Sequence, residues 1–69
     1  MQNFNEKINS AFNAYYTGNM AEALKLFYQI LSEDLNNSIN YYNIGLVYES
    51  VKELELAVSY YKKSIRLDD

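Results

Sequence analysis

Shifting the chain against itself by 34 residues lays one half on the other. Ala23 falls on Ala57, Phe27 on Tyr61, Asn9 on Asn43, Asp34 on Asp68 and Ala11 on Gly45. Exact identities are few, but size and polarity agree along the later part of each half. A period of this length marks a repeat architecture, in which one unit cannot bury its apolar face alone. Each unit reads as a pair of helices. In residues 4–16, Phe4, Ile8, Ala11, Phe12 and Tyr15 recur at steps of three and four, which is one face of a helix. Ala23, Leu24, Phe27, Ile30 and Leu31 form a second stripe, ending near Glu33.

With no proline and two glycines there is little punctuation, so the few turn signals carry weight. Thr17-Gly18-Asn19 interrupts the first pair: Gly18 can end a helix in the left-handed conformation, and Asn19 can cap the next one, with Glu22 completing a capping-box pattern. The polar run Asp34 to Ser38 connects the halves, with Ser38 as the expected cap of a third helix bearing Tyr41, Ile44, Gly45 and Tyr48 on one face. Leu54, Ala57, Val58, Tyr61, Ile65 and Leu67 stripe a fourth. Strand-like alternation is absent. The expected fold is all-α: residues 1–69 form one domain of two antiparallel helix-turn-helix repeats, about 4–37 and about 38–69. A four-helix bundle without repeat symmetry is the alternative architecture.

Tyr41-x2-Ile44-Gly45-x2-Tyr48, followed by Ala57-x3-Tyr61, resembles the tetratricopeptide repeat signature W-x2-L-G-x2-Y…A-x3-F. Tyrosine stands in the tryptophan and phenylalanine positions, and every spacing agrees. The first half departs further, with Lys7 and Ser10 in large apolar positions, while Ala11, Gly18, Ala23 and Phe27 keep the pattern. The resemblance implies a short right-handed α-solenoid segment. Gly45 and Ala57 would be small where two helices cross, with Tyr41, Tyr48 and Tyr61 filling the space beside them. Asp69 replaces the family's usual proline, and Lys52 stands where a turn glycine is common. A non-glycine residue in the left-handed conformation costs about 1 kcal/mol or more. Straightening the turn would avoid that cost and give one helix from about Ile39 to Leu67. Ser50, Val51, Lys52 and Glu53 are therefore a candidate hinge for domain swapping.

Composition narrows the chemistry. Neither His nor Cys is present, which removes thiolate catalysis, disulfides and most transition-metal sites. No cofactor and no resident metal are expected. Glu33-Asp34, Glu53 with Glu55, and Asp68-Asp69 sit at helix ends, where solvation explains them, so no catalytic residue is assigned and the chain is not expected to be an enzyme. Lys62, Lys63 and Arg66 form the one basic cluster, near a helix C-terminus that favours cations. A net charge of -3 argues against a nucleic-acid partner. The polar start and the lack of a long apolar run point to a soluble cytoplasmic protein with no membrane partner.

Binding of protein is the remaining class, and the resemblance implies it. The family's groove positions fall on Ile8, Phe12, Tyr15 and Tyr16 in the first repeat and on Ile39, Tyr42, Leu46, Glu49 and Ser50 in the second. This set suits an apolar or amphipathic peptide or helix as partner. A flanking segment or a second chain covering the same residues is the competing explanation. The family subtype that grips a C-terminal carboxylate uses lysine and asparagine where Ile8 and Phe12 stand, so a carboxylate clamp is not expected, although Asn43 matches one of its positions. Homo-oligomerisation is the second functional expectation. Two repeats without a polar cap would leave Val58, Tyr61 and Ile65 of the last helix as a self-association face, giving a homodimer with its groove self-covered. Within "YYNIGLVY", Tyr41 and Tyr48 read as framework and Tyr42 as the binding residue.

Overall fold

A computed structural model describes residues 4–68. Four helices follow in order: α1 Phe4–Tyr16, α2 Met20–Glu33, α3 Ser38–Ser50 and α4 Leu54–Asp68. No strand occurs among the described residues. The chain is thus all-α, built as two helical hairpins, with α1 packed on α2, α3 on α4, and α2 joining the hairpins through α3. The Cα extents are 32 × 25 × 14 Å, so the thinnest dimension is two packed helices deep. Its core is correspondingly thin. Ile30, Ile44 and Val47 are the largest side chains wholly removed from solvent, joined by Ala11, Ala23, Phe27 and Tyr41.

The two hairpin turns close in the same way. In the first, Asn19 N–H donates to Ala14 O at 2.8 Å and Gly18 N–H to Tyr15 O at 3.2 Å. In the second, Glu53 N–H donates to Tyr48 O at 2.9 Å and Lys52 N–H to Glu49 O at 3.1 Å. Both are Schellman closures, satisfying carbonyls that a helix end leaves without partners. Gly18 has φ 86 and Lys52 has φ 67. The long helix from Ile39 to Leu67 is therefore not formed: the chain folds back at Lys52 and accepts the left-handed residue. Two turn hydrogen bonds, together with packing Ala57, Tyr60 and Tyr61 against α3, outweigh a local cost of about 1–2 kcal/mol.

Capping follows the expectation at one helix and departs from it at another. Asn19 caps α2 and accepts from Glu22 N–H at 3.3 Å. The cap of α3 is Asn37 rather than Ser38: its carboxamide accepts from Ile39 N–H at 3.0 Å while its Nδ2 donates to Asp34 Oδ2 at 3.1 Å. Asparagine can bond in both directions here, and serine is left as the first helical residue. Asn40, buried one turn into α3, donates to Asp34 O at 2.9 Å and ties α3 to the C-terminal end of α2. The expectations at Phe4 (its side chain) and Asp69 lie outside the described residues.

Gly45 sets the distance between α3 and α4. A Cβ built there would lie 2.5 Å from Tyr61 Cε1 and 2.7 Å from Cδ1, well inside contact distance. Alanine at 45 would gain up to about 1 kcal/mol in helix propensity but would force the ring away, at an overpacking cost of about 1–3 kcal/mol. Packing wins: Gly45→Ala is expected to lower stability by about 1 kcal/mol in denaturant titration, and Gly45→Val by more. At the second turn, Lys52→Gly relieves the positive φ and is expected to raise stability by about 1 kcal/mol in the same assay. An unchanged midpoint would mean that Lys52 stores no strain.

Candidate functional site

The close approach that Gly45 permits brings Tyr61 beneath α3, where it organises a cleft. The Tyr61 ring lies 5.4 Å from that of Tyr42, and its hydroxyl donates to Glu49 Oε1 at 2.6 Å. Leu46, Ser64 and Ile65 complete the walls of a cavity of about 380 Å³. All of the lining side chains except Ser64 are large, and the one carboxylate is turned onto a phenol. Burial, and then donation to Glu49, push the Tyr61 phenol well above its ordinary range.

The expected groove residues fall into two groups. Tyr42, Leu46 and Glu49 meet in this cleft. Phe12 lies in α1, stacked on Tyr16 at 6.0 Å and edge-on to Phe27 at 5.2 Å, while Tyr15 accepts from the Ser50 hydroxyl at 3.1 Å. Ile8 is half-buried against the core, whereas Tyr16 and Ile39 stand open at 77% and 62% exposure. The residues expected as a self-association face divide as well. Ile65 and Val58 are exposed, but Tyr61 is half-buried under Gly45 and shares the cleft with Tyr42. The hinge residues Ser50 to Glu53 form the closed turn already described.

The 34-residue period explains what kind of surface this is. Tyr42, Leu46, Glu49, Tyr61, Ser64 and Ile65 are the counterparts of Ile8, Phe12, Tyr15, Phe27, Ile30 and Leu31. In the first hairpin Phe27, Ile30 and Leu31 of α2, on which α3 packs, are buried, and Ile8, Phe12 and Tyr15 of α1 are half-buried against the same core, to which α3 contributes the fully buried Ile44 and Val47. In the second hairpin the same face lies open.

Two aromatic features have no signature in the sequence. Tyr28 of α2 bonds through its hydroxyl to both Tyr48 and Tyr60, each at 2.8 Å, and Tyr60 stacks on Tyr48 at 5.6 Å and on Tyr41 at 6.4 Å. Tyr41 is buried and Tyr48 half-buried, so this cluster joins α2, α3 and α4 as framework. Burial, followed by the hydrogen bonds to Tyr48 and Tyr60, pushes the Tyr28 phenol up. Only the lateral register between α2 and α4 brings Tyr28 to Tyr60, and no spacing within one helix encodes that. Lys63, expected to serve the helix C-terminus, places its Nζ 5.4 Å from the Tyr41 ring centroid, over a second cleft lined by Leu31, Leu56, Ser59 and Tyr60.

Among the described residues no cluster of carboxylates could hold a metal ion, and no helix is long and apolar enough to cross a membrane. Residues 39–69 match the family model described as tetratricopeptide repeat. No curated protein and no solved structure matches the chain.

The raised phenols set an alkaline limit on stability. Tyr61 holds its proton more tightly folded than unfolded, so its contribution is complete below the unfolded value of about 10 and declines as pH rises above it. Thermal midpoints at about pH 8 and about pH 11 should therefore differ less in Tyr61→Phe than in the unaltered chain. Equal losses in both would assign the alkaline decline to other groups.

Proposed function

Through its second hairpin the chain belongs to the tetratricopeptide repeat family, a family of protein-interaction modules, and we propose that it binds an amphipathic helix or apolar peptide at the Tyr42–Leu46–Tyr61–Ile65 cleft. The observation that carries this reading is the correspondence with the first hairpin, where α3 packs on α2 and the counterparts of Tyr61, Ser64 and Ile65, namely Phe27, Ile30 and Leu31, are buried; the cleft is read as the same seat for a helix, left open. Tyr42 is 48% exposed and framed by the Tyr61 ring, which makes it a rigid aromatic anchor of the type that dominates interfaces. Phe12, Tyr15 and Tyr16 continue the aromatic surface along α1. Binding, rather than catalysis, is the activity these residues support, with no cofactor involved and a soluble, cytoplasmic setting.

A probe for this seat exists within the chain. A synthetic peptide spanning residues 38–50 carries the face that fills the equivalent seat in the first hairpin. With the chain held dilute and this peptide titrated, weak binding is expected, with Kd on the order of 100 µM, because a free peptide of this length must pay for its own helix formation. Tyr42→Ala in the chain should weaken it about tenfold while leaving far-ultraviolet dichroism unchanged. A peptide of residues 4–16 should not bind. Equal binding by the Tyr42→Ala chain, or by the α1 peptide, would contradict the assignment.

A further inference from the structure

The two ends of this molecule are chemically unlike, and the difference decides how copies of it can meet. On α3, the face that enters the first hairpin carries Asn40, Ile44 and Val47, all buried. The counterparts on α1, 34 residues earlier, are Glu6, Ser10 and Asn13, all exposed. At the other end, α4 presents Leu54, Val58 and Ile65 at 56%, 48% and 68% exposure beside the Tyr42–Tyr61 cleft. One end is polar, the other apolar.

Head-to-tail stacking would press Ser10 and Asn13 into the apolar cleft, where their polar groups would lose water without finding partners. Among the described residues, α4 itself presents an exposed helix face with the aliphatic pattern the cleft requires, in Leu54, Val58 and Ile65. A surface that is both seat and occupant is self-complementary, which is the condition for a two-fold contact. Charge then selects the direction. Glu55 lies in the first turn of α4, while Lys62 and Arg66 lie further along the same flank, at steps of seven and eleven. None of the three is in an ion pair among the described residues. Antiparallel α4 helices bring this flank of one copy against the same flank of the other and set each Glu55 against Lys62 and Arg66, whereas a parallel two-fold pair would put the two flanks on opposite sides of the contact, where these charges find no partner.

Resting on the cleft as a helix seat, we infer that its occupant is a second copy of this chain. The two copies form a closed two-fold dimer in which α4 packs antiparallel on its mate, burying Val58, Ile65 and the Tyr42–Tyr61 cleft at the centre. The dimer and the amphipathic peptide then compete for one surface, so self-association limits access to the binding site.

Sedimentation equilibrium of the 1–69 chain from about 1 to about 500 µM tests this. The mass should climb from 8.1 kDa to twice that value and stop. Ile65→Asp, at an exposed position that leaves the fold intact by dichroism, should hold the mass at 8.1 kDa throughout. Glu55→Lys should weaken the dimer by about tenfold, and adding Lys62→Glu with Arg66→Glu should restore it. A monomer at every concentration, a mass growing past the dimer, or a dimer indifferent to Ile65→Asp would overturn the inference. So would charge reversals without effect, because they would remove the antiparallel pairing. Binding of the 38–50 peptide by a chain that stays monomeric would overturn the dimer and leave the seat standing; loss of both would overturn the two together.

Discussion

The close approach of α3 and α4 at Gly45 is the constraint from which the rest of the second hairpin follows. Without a Cβ at that position the Tyr61 ring can lie directly against the α3 backbone. From there it reaches Tyr42 on one side and Glu49 on the other, and so forms the floor of the cleft. The neighbouring Tyr60, one residue earlier on α4, faces the opposite way and stacks on Tyr41 and Tyr48. Two adjacent tyrosines thus divide the labour: one locks the hairpin to α2, and the other shapes the open surface. The first hairpin shows the contrast. Ala11 stands in place of Gly45, Phe27 in place of Tyr61, and α3 packs on α2 with Phe27 buried.

The architecture has little reserve. A slab two helices thick buries few large side chains, so hairpin turns and inter-helix contacts carry a large share of the stability. This accounts for a strained Lys52 being tolerated. Opening that turn would release a local cost, but it would also strip α4 from α3 and take the Tyr61 ring from Gly45 and the Tyr60 ring from Tyr41 and Tyr48. The Lys7–Glu33 ion pair at 2.9 Å joins the outer ends of α1 and α2, yet Glu33 is half exposed and such pairs contribute only about 0–1 kcal/mol. Packing of the tyrosines stabilises the fold more than this pair does.

Much of this was legible in the residue order. The 34-residue period, the stripes of α1 to α4 and the Gly18-Asn19 turn identified both hairpins, because each rests on spacing along one helix or on a local conformational demand. Whether the second hairpin closes at Lys52 or straightens there stayed open in the sequence, since the contacts that favour closure are tertiary while the cost is local. The cap at Asn37 rather than Ser38 depended on Asp34 lying within reach of its carboxamide. The Tyr28–Tyr48–Tyr60 hydroxyl cluster needed the lateral register of three helices. Tyr61 illustrates the limit well. Its place in the motif marked it as a large residue beside the crossing, and its place on the stripe marked it as outward-facing. The structure gives it both positions at once, half-buried under Gly45 and forming one wall of the cleft.

The α3–α4 end, and not the α1 end, is the proposed place where this molecule meets protein. Side-chain and amide chemical shifts followed by NMR across a dilution series, and again with added 38–50 peptide, test it most directly. Tyr42, Leu46, Tyr61 and Ile65 are expected to move together in both series while Asn9, Ser10 and Asn13 stay still. Shifts confined to α1, or none at the cleft in either series, would contradict it.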